Sequence, residues 1–284
     1  MEINFGDKLY NAISNGRGLL FTQGEMANLT YISYERFIQL IEADENDIIP
    51  ISHPVGFRAD NTPINSTTEY SKEELIGRYN YLGLTKLPID GILQLVTITE
   101  TILNYILKEI LIEFPGKIPN KRKIDVELAL SANSLEEIKI SIIETILNEI
   151  AYKSPKDYAD EFQKYTGLNL LEFPPYHRYI ELKATRDIHI HNGGTANEIY
   201  IVKAGMMARV KNGFYLPIDV QYFLQSYESC LQLTEILEKE LDKIWPSNDY
   251  RENKKLSLHK SIEEQKDENV EKVIEESIKN NAEE

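Results

Sequence analysis

The feature that most constrains this chain is an uninterrupted apolar stripe between Pro88 and Pro115. Ile92, Leu95, Val96, Thr99, Leu103, Ile106, Leu107, Ile110, Leu111 and Phe114 recur at the 3.6-residue period of an α-helix. Pro115-Gly116 ends the run. A helix this long, with a broad apolar face, must be covered by other helices, so the reading begins from a helical bundle. The flanking punctuation agrees. Ser71-Lys-Glu-Glu74 and Ser134-Leu-Glu-Glu137 are capping boxes, in which a serine oxygen satisfies an orphan backbone donor at a helix start. The second leads into Ile138, Ile142, Ile143, Ile146, Leu147 and Ile150 on one face. Ser154-Pro155 opens a shorter helix that Gly167 stops, and Pro174-Pro175 precedes a helix from about Tyr176 to His191 closed by Asn192-Gly193-Gly194. A last stripe runs from Val220 to Ile244 and ends at Trp245-Pro246. Asn212-Gly213 is a hairpin signal, so a small β-hairpin is expected near 207–217. The fold class is therefore mainly all-α, an antiparallel helical bundle with one small hairpin.

Three regions follow. Residues 1–87 form an N-terminal extension of uncertain fold, in which Asn15-Gly16, Pro50 and Pro63 read as turns, Gly16-Arg17-Gly18 is a turn and His53 is a loop residue. Residues 88–246 form the helical domain. Residues 247–284 carry 7 basic and 11 acidic side chains and read as a charged, largely solvated tail, within which Val270, Val273, Ile274 and Ile278 lie at helical spacing.

The single cysteine, Cys230, excludes a disulfide framework and a cysteine-based zinc site, and suggests a reducing compartment. No stretch has the roughly 18 consecutive apolar residues of a membrane span, and the first ten residues lack the pattern of a secretory signal. A cytoplasmic protein without a membrane partner is expected. A net charge of −15 excludes a chain that coats nucleic acid through bulk electrostatics, while leaving room for an enzyme that grips a few phosphates locally. No Walker-type loop and no serine nucleophile elbow occurs.

The chemically informative segment is Glu181 to Gly194. It contains Arg186, Asp187, His189 and His191, followed by Asn192. Arginine offers a permanent planar cation suited to phosphate oxygens, and histidine moves protons in both directions near neutral pH. Metal-free phosphodiester cleavage requires both: a 2′-hydroxyl loses a proton, a 5′-oxygen gains one, and the charged phosphorane between them is stabilised. Lys117, Lys121, Arg122 and Lys123 form a basic loop suited to guiding RNA. Were residues 186–191 a strand, Asp187, His189 and His191 would alternate onto one face as the ligand set of a metal-dependent hydrolase.

On Arg186, Asp187 and His191, with four residues between arginine and histidine near a helix end, the chain resembles the HEPN superfamily over roughly 88–246. The Asn192-Gly193-Gly194 continuation and the stretch from Asn197 to Tyr200 add to the likeness. The resemblance implies a HEPN-like bundle and a metal-independent endoribonuclease that works as a homodimer without a cofactor. In it Arg186 and His191 would be catalytic, with Asp187, Asn192 and His189 supporting. It further implies a bacterial toxin or antiphage (abortive infection) effector with an antitoxin or defence-system partner. The reading from another class is a catalytically silent scaffold or sensor module built on the same helices.

Overall fold

The computed structural model describes residues 4–119 and 132–257. Its elements are α1 (Phe5–Ala43), β1 (Ile48–Phe57), β2 (Pro63–Ser71), α2 (Lys72–Tyr81), α3 (Leu87–Glu113), α4 (Leu135–Ala151), α5 (Pro155–Thr166), α6 (Pro174–His191), α7 (Glu198–Ala204) and α8 (Val220–Ile244). The helix starts fall where the caps were read. Ser71 Oγ accepts from the Glu74 N–H, Ser134 Oγ from Glu137 N–H and Ser154 Oγ from Asp157 N–H, each at 3.2 Å. Gly167 closes α5 at φ +84°, a conformation that costs glycine nothing.

The stripe of α3 is the axis of the core. Ile92, Leu95, Val96, Leu103, Ile106, Leu107, Ile110 and Leu111 are all buried, packed among α1, α4, α5, α6 and α8. Chain directions follow from the pairs in contact. Phe5 meets Phe114 and Trp245 at ring separations of 5.2 and 5.6 Å, and Arg17 pairs with Glu238. Helix α1 therefore runs antiparallel to both α3 and α8.

Several expectations are corrected. The extension 1–87 is not separable from residues 88–246, because Leu9, Ile13, Leu20 and Ala27 of α1 belong to the same core as α3. Gly16-Arg17-Gly18 is helical rather than a turn. A Cβ on Gly16 would lie 2.3 Å from the Ile102 side chain, so this glycine is required by the close approach of α1 to α3. The expected boundary at 87/88 falls inside a continuous helical path, since α2 passes through a π-turn, Leu82–Lys86, straight into α3. Leu87 N–H reaches back to Leu82 O, and Pro88 follows without a donor of its own, so the local register change accommodates the proline instead of breaking the helix.

The hairpin also lies elsewhere. Strands β1 and β2 pair antiparallel from Ile48↔Ser71 to Phe57↔Pro63, with an irregularity between Pro54 and Gly56, and His53 is a strand residue opposite Ser66. The segment 207–217 is not a hairpin. Its donors and acceptors are taken up by the chain leaving α6: Gly213 N–H donates to Ala196 O (2.8 Å), Ala196 N–H to Phe214 O (2.9 Å) and Leu216 N–H to Gly194 O (2.8 Å). Asn212-Gly213 still turns the chain, with Gly213 at φ +85°.

The tail is solvated only in part. Ser247 is buried, its hydroxyl donating to Asp7 Oδ1 (2.7 Å) and accepting from Tyr250 N–H (3.1 Å), while Asp249 N–H also reaches Asp7. Residues 248–257 continue as a helix. Val270, Val273, Ile274 and Ile278 lie outside the described residues, as do Lys121, Arg122 and Lys123. Among the described residues, no helix is long and apolar enough to cross a membrane.

Candidate functional site

Helix α6 divides its sides by sequence. Tyr176, Tyr179 and Leu182 enter the main core, and Ala184 and Ile188 enter a smaller cluster with Ala196, Tyr200, Ala204 and Leu216. Lys183, Arg186, Asp187 and His191 remain on a third side, where Lys183, Asp187 and His191 follow one another at offsets of four residues along one helical stripe. All four line a cleft of about 460 Å³. Its other walls are Glu100 and Asn104 of α3, the α4–α5 joint from Ala151 to Pro155, Tyr158 of α5 and Lys203 of α7.

The cleft is cationic although the molecule is acidic. Lys153, Lys183, Arg186 and Lys203 line it against Glu100 and Asp187. Arg186 Nη2 donates to both carboxylate oxygens of Glu100, at 3.2 and 3.1 Å, and Lys183 Nζ lies 2.7 Å from Glu100 Oε1. Asp187 stands between Lys203 (3.1 Å) and Arg186 Nε (3.4 Å). The latter is an ion pair without hydrogen-bond geometry, and Arg186 Nε is a buried side-chain donor left without a hydrogen bond among the described residues. Such an orphan is costly and calls for a functional explanation. Burial, reinforced by neighbouring tyrosine and Glu100 charge, holds the Tyr158 and Tyr179 hydroxyls well above the ordinary phenol range, so they stay protonated.

The remaining sequence-read residues separate from this group. His191 is exposed at the cleft. His189 faces away: its Nε2–H donates to Leu216 O at 2.8 Å, its ring meets Tyr215 edge-on at 5.8 Å, and burial lowers its pKa below the usual histidine value. Asn192 caps α6 and its side-chain amide donates to Thr195 O, closing the Gly193-Gly194 turn. Asp187, His189 and His191 lie on a helix, where Asp187 and His191 line the cleft while His189 faces away, which overturns the strand arrangement behind the metal-hydrolase alternative. Lys117 is exposed and lies apart from the cleft, with its ammonium donating to the Tyr165 carbonyl at 2.7 Å.

Sequence reasoning missed Glu100, Lys183 and Lys203 in the cleft. It also missed a buried polar node behind it. Glu181 Oε1 accepts from Thr185 Oγ1 (2.7 Å), Tyr200 OH (2.9 Å) and Arg209 Nε (3.1 Å), and Glu181 Oε2 accepts from Tyr222 OH (2.7 Å). The Arg209 guanidinium lies 3.6 Å over the Tyr222 ring and donates to Pro217 O. This node ties α6, α7, α8 and the 209–217 segment together at the level of the cleft.

No family model, curated protein or solved structure matches the chain. The site is therefore read from its own chemistry.

Proposed function

We propose that this chain is a metal-independent endoribonuclease of HEPN type that cleaves RNA by attack of the 2′-hydroxyl, serving as a toxin or antiphage effector with an antitoxin or defence-system partner. The observation that carries the reading is the convergence of Arg186 and His191 in one cationic cleft, with a buried arginine donor lacking a hydrogen bond among the described residues. Arg186, with Lys183 beside it, stabilises the phosphorane charge. His191, exposed and with a helix end behind it, moves the proton. Asp187 holds the guanidinium from its Nε side. Purified protein is expected to cleave RNA with EDTA present and to leave DNA of the same sequence intact. Activity abolished by chelation and restored by a divalent metal would overturn the mechanism.

One arginine and one histidine supply a single clamp and a single proton carrier, whereas in-line transfer moves one proton on each side of phosphorus. A two-fold homodimer would bring two sets together. Support comes from α7, whose Lys203 lines the cleft while Ile199 and Val202 are 62% and 79% exposed, with Met206 exposed beside them. An apolar strip at the edge of the cleft is suited to a second copy. Sedimentation at micromolar concentration is expected to give a dimer for the wild type, and a monomer with lost cleavage for Val202→Glu. A wild-type monomer at full specific activity would rule out the composite site.

The second reading, a catalytically silent module, is favoured by one observation. Arg186 is already engaged by Glu100, as a purely structural arginine would be. Arg186→Ala that left partner binding or dimerisation impaired, with no RNA cleavage by the wild type, would support it.

A further inference from the structure

Glu100 has no local counterpart in the motif on α6. It comes from the middle of α3, on the opposite wall, and brings a carboxylate to two cations. Its two oxygens accept from Arg186 Nη2 and one of them also meets Lys183 Nζ. One guanidinium nitrogen and one ammonium thus hold a carboxylate, an oxyanion with two free oxygens and one negative charge. A phosphodiester presents the same pair of oxygens and the same charge. The carboxylate is not sealed in, since Glu100 keeps 30% side-chain exposure at the cleft and is carried on a side chain with several staggered rotamers.

We propose that Lys183 and Arg186 form an oxyanion subsite for an RNA phosphodiester and that Glu100 is its internal occupant, a carboxylate that the phosphate must displace. The inference rests on the nuclease reading for its ligand, and the charge pattern carries it independently. With Glu100 in place, Lys183 and Arg186 share one carboxylate and are neutralised in part at short range, while the other cations lining the cleft, Lys153 and Lys203, are paired with Glu161 (3.1 Å) and Asp187 (3.1 Å). The cleft is thus more attractive to a phosphate as Glu100 leaves. Apparent affinity is reduced by the fraction of time the subsite is open, so a subsite open a tenth of the time binds about tenfold more weakly than an open one.

The test is binding of a fluorescein-labelled, fully 2′-O-methylated mixed-sequence RNA 12-mer, whose blocked hydroxyls cannot attack, to the full chain. Glu100→Gln keeps the side chain's shape and removes its charge, and is expected to bind about tenfold tighter. Lys183→Ala is expected to bind weaker by a similar factor. Glu100→Asp, which withdraws the carboxylate by one methylene, falls between wild type and Glu100→Gln and serves if Glu100→Gln does not fold. Weaker or unchanged binding by a folded Glu100→Gln would overturn the subsite and make Glu100 a support for Arg186. The two proposals fail separately. Tighter binding by Glu100→Gln without cleavage of unmodified RNA by any variant would end the nuclease reading and keep the subsite. Cleavage by the wild type with unchanged affinity in Glu100→Gln would do the reverse.

Discussion

Arg186→Ala and His191→Ala are each expected to lower RNA cleavage by about 10² or more while leaving the fold intact, the usual scale for losing phosphate stabilisation or a general acid/base. The structure makes the control interpretable. When Arg186 is truncated, Glu100 still has Lys183 at 2.7 Å and Asp187 still has Lys203 at 3.1 Å, so no carboxylate is stranded. His191 is exposed at the cleft and is not among the buried core residues. Thermal melts close to wild type should accompany the loss of activity. Asp187→Asn should cost less, because the amide keeps the shape beside Arg186 and loses only charge. Undiminished cleavage in both alanine variants would remove the site from α6 altogether.

Glu181→Ala is expected to destabilise the protein by about 3–5 kcal/mol, the cost of removing one partner from a buried charged network. Four side chains direct donors at this carboxylate, and Glu181 and Thr185 are almost fully buried. Burial, with the Glu181 charge adding to it, pushes the Tyr200 hydroxyl up to about 12 and the Tyr222 hydroxyl higher still. Both therefore remain donors at any physiological pH. Without Glu181, Arg209 keeps, among the described residues, the Pro217 carbonyl, a long contact to Thr185 and the ring of Tyr222 to answer its charge. Tyr222→Phe removes a single hydrogen bond and should cost less, though more than an ordinary neutral one, since its acceptor is charged. Urea unfolding of the two variants measures both effects. A loss below 1 kcal/mol for Glu181→Ala would show that the node does not hold the 209–217 segment to α6.

The helix limits were legible because caps are local. Ser71, Ser134, Ser154 and Gly167 each act within a few residues of themselves, so spacing alone locates them. Helix α1 was not legible for the opposite reason. Its buried positions, Leu9, Ile13, Leu20 and Ala27, are interspersed with glycines that resemble turn residues until α3 and α8 are packed against them. Gly24, for instance, has no space for a Cβ because the Tyr227 ring lies there, 2.7 Å from where that atom would be. The hairpin went to the wrong place because Asn212-Gly213 does turn the chain, while the partner of the outgoing segment is residues 194–196, a tertiary choice. The site divides the same way. Asp187 and His191 lie one helical turn apart, which sequence offsets reveal, and Lys183 could have been added from its place four residues before Asp187, whereas Arg186 joins them through the shared cleft. Glu100 and Lys203 arrive from other helices and leave no trace in the sequence around α6.

The most direct test of the proposed chemistry is the end group left on RNA by the purified protein in EDTA, read by mass spectrometry. Attack by the 2′-hydroxyl, with phosphate held at Arg186 and proton transfer at His191, predicts a 2′,3′-cyclic phosphate or its opened monophosphate on one fragment and a 5′-hydroxyl on the other. Both ends should be missing from reactions with Arg186→Ala or His191→Ala. RNA that stays intact with the wild-type protein, or fragments ending in a 3′-hydroxyl and a 5′-phosphate, would contradict it.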